Sequence, residues 1–376
     1  MMNMLLLLTI DGSHGEGGGQ IVRTAVTLSA IAGKPIRIIN IRAKRQIPGL
    51  HPQHVAAVKA VADLFCANTE NLRAGADWIK FIPTSSEAGN FEYGVTKIDI
   101  GTAGSIPLVL LTIIPAISIS GKSHSLQVIG GTDVRFSPTI DYLRYVVREA
   151  YGSLGIRFSL DVCRRGYYPT GGGIADVEIS AYNPSSDKPL NLAEGTINDI
   201  TEKEASVSPL EVRIANVCCK LPRHVAERQI SSAISTLEKN GVNISNPQTH
   251  TEMSLSPGTS ILIYGASRNN HDCRYIGGDS IGERGKRAES VGIEASQKFL
   301  QAYLQHAQVD SFLADMLVVP LGLIKVDSRF RVAKVTEHLK TNLYIASQIV
   351  PGFRYHIESA AERQRAGYIV TIENEH

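Results

Sequence analysis

The chain has 376 residues, 43% hydrophobic and 20% charged, enough for two or three packed units and ordinary for a globular protein. With 38 Lys and Arg against 36 Asp and Glu, the net charge of +2 excludes a global polyanion-binding field, so any nucleic-acid surface must be a local cluster. The five cysteines (Cys66, Cys163, Cys218, Cys219, Cys273) contain no CxxC pair, which argues against a disulfide framework or zinc knuckle and for free thiols in a reducing compartment.

The opening MMNMLLLLTIDG has neither the basic flank nor the cleavage site of a leader peptide and reads as a buried strand, Leu5–Ile10. The glycine-rich turn Gly15–Gly19 follows. A helix comes next, with Ile21, Ala25, Leu28 and Ala32 on one face, ended by Gly33-Lys34-Pro35. A strand at Ile36–Ile38, a loop Arg42–Pro48 and a second helix carrying Val55, Val58, Ala62 and Phe65 complete the segment. The order then repeats at a period of about 90 residues, too long for a solenoid. Gly101–Ser105 opens a helix, AISISGKSHSLQVIGG parallels LSAIAGKPIRIINIRA, and FSPTIDYLRYVVREAYGSLG parallels GLHPQHVAAVKAVADLFCA. A third copy reads as helix Ser311–Leu323, strand Arg329–Val335, helix His338–Val350 and strands Arg354–Ser359 and Tyr368–Glu373. No stretch is long enough to span a membrane. The longest apolar segment, Ile106–Ile119, holds Pro107 and Pro115 and reads as a core helix.

Asn183–Ser208 is polar and reads as a linker. Beyond it, strands at Leu210–Val217, Ser260–Ala266 and Cys273–Gly277 and helices from Pro222 and near Ser290 make a self-contained block. The expected fold is α+β: three repeated α/β units with a smaller inserted α/β domain. Residues 1–184 hold repeats one and two and the start of three, 185–308 the insert, and 309–376 the rest of repeat three.

Three clusters could carry chemistry. Gly15–Gly19 between a strand and a helix suits phosphate, although such a turn by itself serves structure as readily. Glu16 in the turn could help hold a divalent cation, and Arg23 beyond it could bind phosphate. Arg42-Ala43-Lys44-Arg45, with Arg42 and Lys44 read on one strand face, precedes Gln53-His54 at a helix start, and together they make an anion pocket suited to an RNA terminus. In Arg164–Gly173, basic, aromatic and glycine residues interleave, which suits nucleotide stacking or a tight loop between strands; the pattern does not choose. None of the eleven histidines is selected as a nucleophile by its local sequence.

DGSHGEGGGQIVRTAVTLSAIAGKP, IRAKRQIPGLHPQHVAAVKA, GTAGS, GGTD and RRGYYPTGGG, in this order, resemble the RNA 3′-terminal phosphate cyclase family over nearly the whole chain. The resemblance implies three units related to those of enolpyruvyl transferases, plus a small α/β insert. It implies a ligase-type nucleotidyl transferase of the cytoplasm that uses ATP with Mg2+ or Mn2+. An enzyme–histidinyl-AMP and an RNA-(3′)pp(5′)A intermediate would convert an RNA 3′-phosphate into a 2′,3′-cyclic phosphate. Residue by residue, His338 matches the nucleophile and Glu16 the metal-associated glutamate. Arg23, Arg42, Arg45, Gln53 and His54 match contacts to ATP phosphates or the RNA end. Pro138 matches a residue that packs on adenine, and Asp315 a polar residue near the nucleotide. Phe312 stands where relatives often carry Tyr, and Leu111 and Met316 where they often carry Gln, so nucleotide contacts differ there. The alternatives are a non-catalytic paralogue in ribosome assembly, which lacks the histidine present here, and an enolpyruvyl transferase, suggested by architecture alone. RNA 3′-phosphate ends and ATP are the expected partners, with no membrane. The oligomeric state stays open, a dimer included.

Overall fold

Short strands with one buried face and long apolar helices have to be layered, and the computed structural model, which describes residues 7–84, 94–184, 210–269, 272–360 and 367–375, shows how. Strand β1 (Leu8–Asp11) runs parallel to β2 (Ile36–Ile39), with α1 (Gln20–Ala32) as the crossover between them. Helix α2 (Pro52–Leu64) leads to β3 (Asn68–Glu70) and β4 (Ile79–Ile82), which finish an antiparallel edge in the order β1-β2-β4-β3. The plan returns with β5 (Val95–Asp99), α3 (Ile106–Ile119) and β6 (His124–Gly130). It continues through α4 (Ile140–Tyr142), a π-helical turn Leu143–Val147, α5 (Arg148–Ser153), β7 (Phe158–Arg164) and β8 (Gly173–Ile179), in the order β5-β6-β8-β7.

A different sheet follows, built from β9 (Glu211–Cys219), β10 (Ile244–His250), β11 (Gly258–Asn269) and β12 (Asp272–Ile281) in the order β10-β9-β11-β12. Helices α6 (Arg223–Glu238) and α7 (Ala288–Tyr303) cover it, and Val212, Ile263, Ala295 and Phe299 fill the space between. The chain then gives α8 (Ser311–Ile324), β13 (Ser328–Val332), α9 (Glu337–Ile349), β14 (Phe353–Ser359) and β15 (Tyr368–Asn374), whose strands pair antiparallel as β13-β15-β14.

The helices decide where the site lies. α1, α3 and α8 meet one another at the centre. Each following helix leans on the next of these: α2 on α3, the π turn on α8, and α9 on α1. The N-terminus of α9 therefore arrives beside the glycine turn that opens α1. α1 is buried all round, from Ile21 and Val22 to Leu28 and Ala30, rather than along the single stripe read from its spacing, because helices press on it from several sides. α3 forms as expected, with Pro107 in its first turn, where a missing N–H costs nothing.

Some expectations change. The first strand begins at Leu8, and residues 1–6 lie outside the described residues, as does nearly all of the linker Asn183–Ser208. Arg42 and Lys44 do not share a strand face. β2 stops at Ile39, and Asn40 (φ 52°) and Arg42 (φ 55°) turn left-handed, so Arg42–Arg45 is a loop. The strand read as Arg329–Val335 stops at Val332. β3, β4, β5 and β10 were not expected from the sequence. β3 and β10 lack alternating apolar residues and are strands because a neighbour pairs with them. Among the described residues no helix is long and apolar enough to cross a membrane.

Candidate active site

The glycine turn is shaped by what touches it. Gly15 has φ +56°, and a Cβ there would stand 2.6 Å from Thr341 Oγ1 on α9. A Cβ on Gly19 would stand 2.1 Å from His54 Nε2. The backbone thus comes close to α9 on one side and to the start of α2 on the other. His14 stacks on Tyr344 of α9 with ring centroids 4.0 Å apart.

His338 is the second residue of α9 and is half-buried. Its Nε2 lies 3.6 Å from Glu16 Oε2, and its Nδ1 lies 3.7 Å from Asp315 Oδ2. Burial lowers the imidazole pKa; Glu16 opposes this, while Arg23 and Arg45 add to it, so the ring is held neutral at pH 7. Asp315 is buried on α8, and burial pushes its carboxyl up to about 8, against a 2.6 Å hydrogen bond donated by Thr336 Oγ1. Thr336 is the N-cap of α9 and also accepts from Leu339 N–H at 2.9 Å. Asn342 donates to the Asp315 carbonyl at 3.0 Å and accepts from Thr24 Oγ1 of α1 at 2.9 Å. α1, α8 and α9 are therefore locked together around the imidazole. Sequence reasoning missed Thr336, Asn342 and Thr24. The signal for Thr336 was available, as a Thr directly before a helical period, whereas nothing in the sequence says whom Asn342 meets.

Opposite Glu16 the charge is positive. Arg45 donates to Glu16 at 2.9 Å. Arg42 donates to the carbonyls of Ile47 (2.8 Å) and Gly49 (3.1 Å), which fixes its left-handed loop, and burial followed by repulsion from Arg45 lowers its pKa. The Arg23 side chain is partly buried, its guanidinium makes no hydrogen bond or ion pair among the described residues, and burial brings its pKa down to about 10. His54 is 3% exposed. Burial, then Arg23 and Arg42, keeps it well below the usual histidine range, so it is neutral. Its Nδ1 accepts from the His51 N–H at 3.0 Å, which leaves the proton on Nε2 beside Gly19. Uncompensated guanidinium charge beside a glycine turn fits an anionic ligand.

Other expected site residues stand further out. Gln53 Oε1 accepts from Ser105 N–H at 2.9 Å and so ties α2 to the cap of α3. Pro138 precedes the N-cap Thr139, next to Ser137, whose hydroxyl meets Ser105 Oγ. Phe312, in the first turn of α8, is 47% exposed under Lys298 Nζ, which lies 5.7 Å from its ring centroid. Among the described residues no hydrogen bond, ion pair or ring contact joins Pro138 or Phe312 to His338. Among the described residues no group of three His, Cys, Asp or Glu side chains is placed to hold a metal ion, so a cation here would have to share its shell with ligand oxygens.

The segment Arg164–Gly173, which suited either nucleotide stacking or a tight loop, is a structural joint. Arg165 is 0% exposed and meets Asp133 (3.2 Å), Asp141 (2.8 Å) and Glu252 (2.7 Å). Tyr167 is buried with its hydroxyl toward Cys219 Sγ. The segment fastens the β5-β6-β8-β7 sheet to the β9–β12 sheet.

Comparison with known proteins gives the family to which this sequence is similar. Residues 14–354 match the profile of a family described as RNA 3′-terminal phosphate cyclase. A protein of that name from Pyrobaculum aerophilum is 39% identical over 345 residues, covering 92% of this chain and 93% of its own. One from Pyrobaculum neutrophilum is 37% identical over 368 residues, covering 98% and 99%. One from Pyrococcus furiosus is 39% identical over 342 residues, covering 91% and 93%.

Proposed function

The chain belongs to the RNA 3′-terminal phosphate cyclase family, and from that premise we propose that it is an ATP-dependent enzyme that cyclises the 3′-phosphate of RNA through a covalent adenylate on His338. The observation that carries this reading is the His338 imidazole held between Glu16 and Asp315, near the Arg23 guanidinium, which has no ion-pair partner among the described residues. Nε2 faces the glycine turn and is the nitrogen free to attack. Nδ1 faces buried Asp315, which orients the ring. In the first step the Nε2 lone pair forms a bond to the α-phosphorus of ATP and the bond to the β-phosphate breaks, releasing pyrophosphate. AMP then passes to an oxygen of the RNA 3′-phosphate. Attack by the adjacent 2′-hydroxyl, with loss of its proton, closes the ring and releases AMP.

Arg23, Arg42, Arg45, Gln53 and His54 would bind phosphate oxygens of ATP or of the RNA end, with Pro138, Phe312 and Asp315 toward the nucleoside. The neutral His54 would donate from Nε2. A divalent cation fits the donor set, because one carboxylate plus substrate phosphates is the usual shell of Mg2+. Glu16 would hold it, exchanging Arg45 for the ion, and the ion would supply charge neutralisation at the phosphates. Replacing Glu16 with Ala should therefore raise the Mg2+ needed for half-maximal self-adenylylation about ten-fold; an identical titration removes Glu16 from the metal site. The division into 1–184, 185–308 and 309–376 belongs to the same proposal.

Asp315 and His338 also predict a pH profile. With the Asp315 carboxyl at about 8, it is protonated at neutral pH, and as that proton leaves the carboxylate facing Nδ1 favours the tautomer with the proton on Nδ1 and a free Nε2. Self-adenylylation should rise with pH until about 8 and then level. Asp315→Asn, which cannot hold that proton, should give a flat profile over the same range. A variant that keeps the wild-type rise would separate the titration from Asp315. The proposal itself is tested by incubating the protein with Mg2+ and ATP labelled at the α-phosphate, then denaturing it. Acid-labile label on the chain is expected. A folded protein that stays unlabelled with Mg2+ and with Mn2+ would point to the non-catalytic paralogue.

A further inference from the structure

A cavity of about 450 Å3 opens on the other face of α9, lined by His14, Lys340, Tyr344, Tyr355, Ile357 and Tyr368 among others. Apart from the His14–Tyr344 stack beside the glycine turn, none of these residues belongs to the site described above. The cavity borders that site along the chain twice over: His14 is two residues before Glu16, and Lys340 is two residues after His338. Lys340 and Tyr344 are one helical turn apart on α9, while Asn342, which meets α8, lies about 200° round the helix from both. α9 thus separates the cavity from α8, which carries Asp315 and Phe312. The floor is the β14–β15 sheet. Tyr355 and Ile357 alternate onto one face, and Tyr368 pairs with Ser359 of the same alternation.

The lining has a particular chemistry. Tyr355 and Tyr368 are 38% and 39% exposed among the described residues, so each offers part of its ring to a ligand. The stacked His14–Tyr344 pair forms a wall, and the Lys340 ammonium stands at the edge, kept protonated by Glu337 at 2.7 Å. Flat rings with hydroxyl and ammonium donors suit nucleobases, whose faces stack on aromatics whatever the sequence and whose phosphates accept from Lys. An aliphatic groove would suit a partner helix, and this cavity has few aliphatic side chains. Its volume lies within the roughly 300–1,000 Å3 of pockets that enclose a ligand of nucleotide size.

We propose that this aromatic cleft is the subsite for the RNA bases preceding the terminal nucleotide, which stack on Tyr355 and Tyr368 while the 3′-phosphate reaches round the glycine turn to the arginines. The subsite rests on the cyclase reading, because it is the RNA end that must pass between the two. Such a subsite would hold a strand without reading its sequence, because every base has a face that can stack.

The test is binding of a fluorescent oligoadenylate 3′-phosphate, followed by anisotropy without ATP, to the wild type, to Tyr355→Ala/Tyr368→Ala and to Tyr355→Phe/Tyr368→Phe. Both tyrosines are surface residues outside the catalytic machinery, so self-adenylylation should be unchanged in each variant. The Ala pair should weaken RNA binding at least about ten-fold, and the Phe pair, which keeps the ring faces, should bind as the wild type does. Adenosine 3′-monophosphate, which has no base beyond that of the terminal nucleotide, should bind all three proteins equally. An oligoadenylate affinity unchanged in the Ala pair would overturn the subsite, and a simultaneous change in oligomeric state would assign the cleft to a second copy of the chain. A wild type that binds RNA through these tyrosines but never becomes adenylylated would instead count against the cyclase reading and leave the subsite standing.

Discussion

His338→Ala is expected to abolish retention of the α-phosphate label and to lower RNA cyclisation by on the order of 10^6-fold, equivalent to ~8 kcal/mol of transition-state stabilisation. The size follows from the route. If AMP must first be bonded to the protein, no other group can take over the step by small adjustment. Glu16 and Asp315, the imidazole's neighbours, are carboxyls that already serve other partners. The change should leave the fold intact. The His338 side chain is 45% exposed and contributes no cap, since Thr336 closes the helix. Thermal unfolding should therefore move little, within the ±0.5 kcal/mol or so typical of surface substitutions. Label on the alanine variant at the wild-type level would move the nucleophile elsewhere, and with it the mechanism.

Arg165→Met should be strongly destabilising, and its effect should be structural. Against the cost of burial, Asp133 and Asp141 hold the Arg165 guanidinium above its usual range, and Glu252 adds a hydrogen bond from the β9–β12 side. Removing the guanidinium leaves Asp133 and Asp141 buried together with no cation. Breaking a buried ion pair from one side costs about 3–5 kcal/mol, a large part of a typical stability of about 5–15 kcal/mol. The pH dependence has a definite sign. Burial already raises the Asp133 carboxyl, so its folded-state pKa lies above the unfolded one. Such a group favours the folded state at low pH and loses that contribution as pH rises through the folded value. The defect should thus be largest at neutral and alkaline pH and shrink on acidification. Urea midpoints across pH would show it. A variant within about 1 kcal/mol of the wild type at neutral pH would mean that water reaches the carboxylates once the arginine is gone. Adding Asp133→Asn and Asp141→Asn should restore part of the loss, since no like charges then remain.

Chain-local chemistry determined a good deal. Helical spacing and caps located α1, α2, α3, α8 and α9 to within a residue or two, because apolar periodicity and the glycine and proline punctuation are properties of the sequence itself. The glycine turn with Glu16, the cluster Arg42–Arg45 and the helix start at Gln53-His54 were legible for the same reason, as was the resemblance that singled out His338. Tertiary structure decided the rest. β3 and β10 carry no apolar alternation and exist through their pairing partners. Asp315 becomes a high-pKa carboxyl only because α8 and α9 bury it, and it faces Nδ1 only because Thr336 and Asn342 fix it there. Arg164 and Arg165 are adjacent and alike in sequence, yet Arg165 is sealed among three carboxylates drawn from distant segments while Arg164 donates to the Gly172 carbonyl of its own loop. Burial and long-range charge pairing depend on neighbours far away along the chain, and these set pKa, orientation and the division between structural and chemical roles.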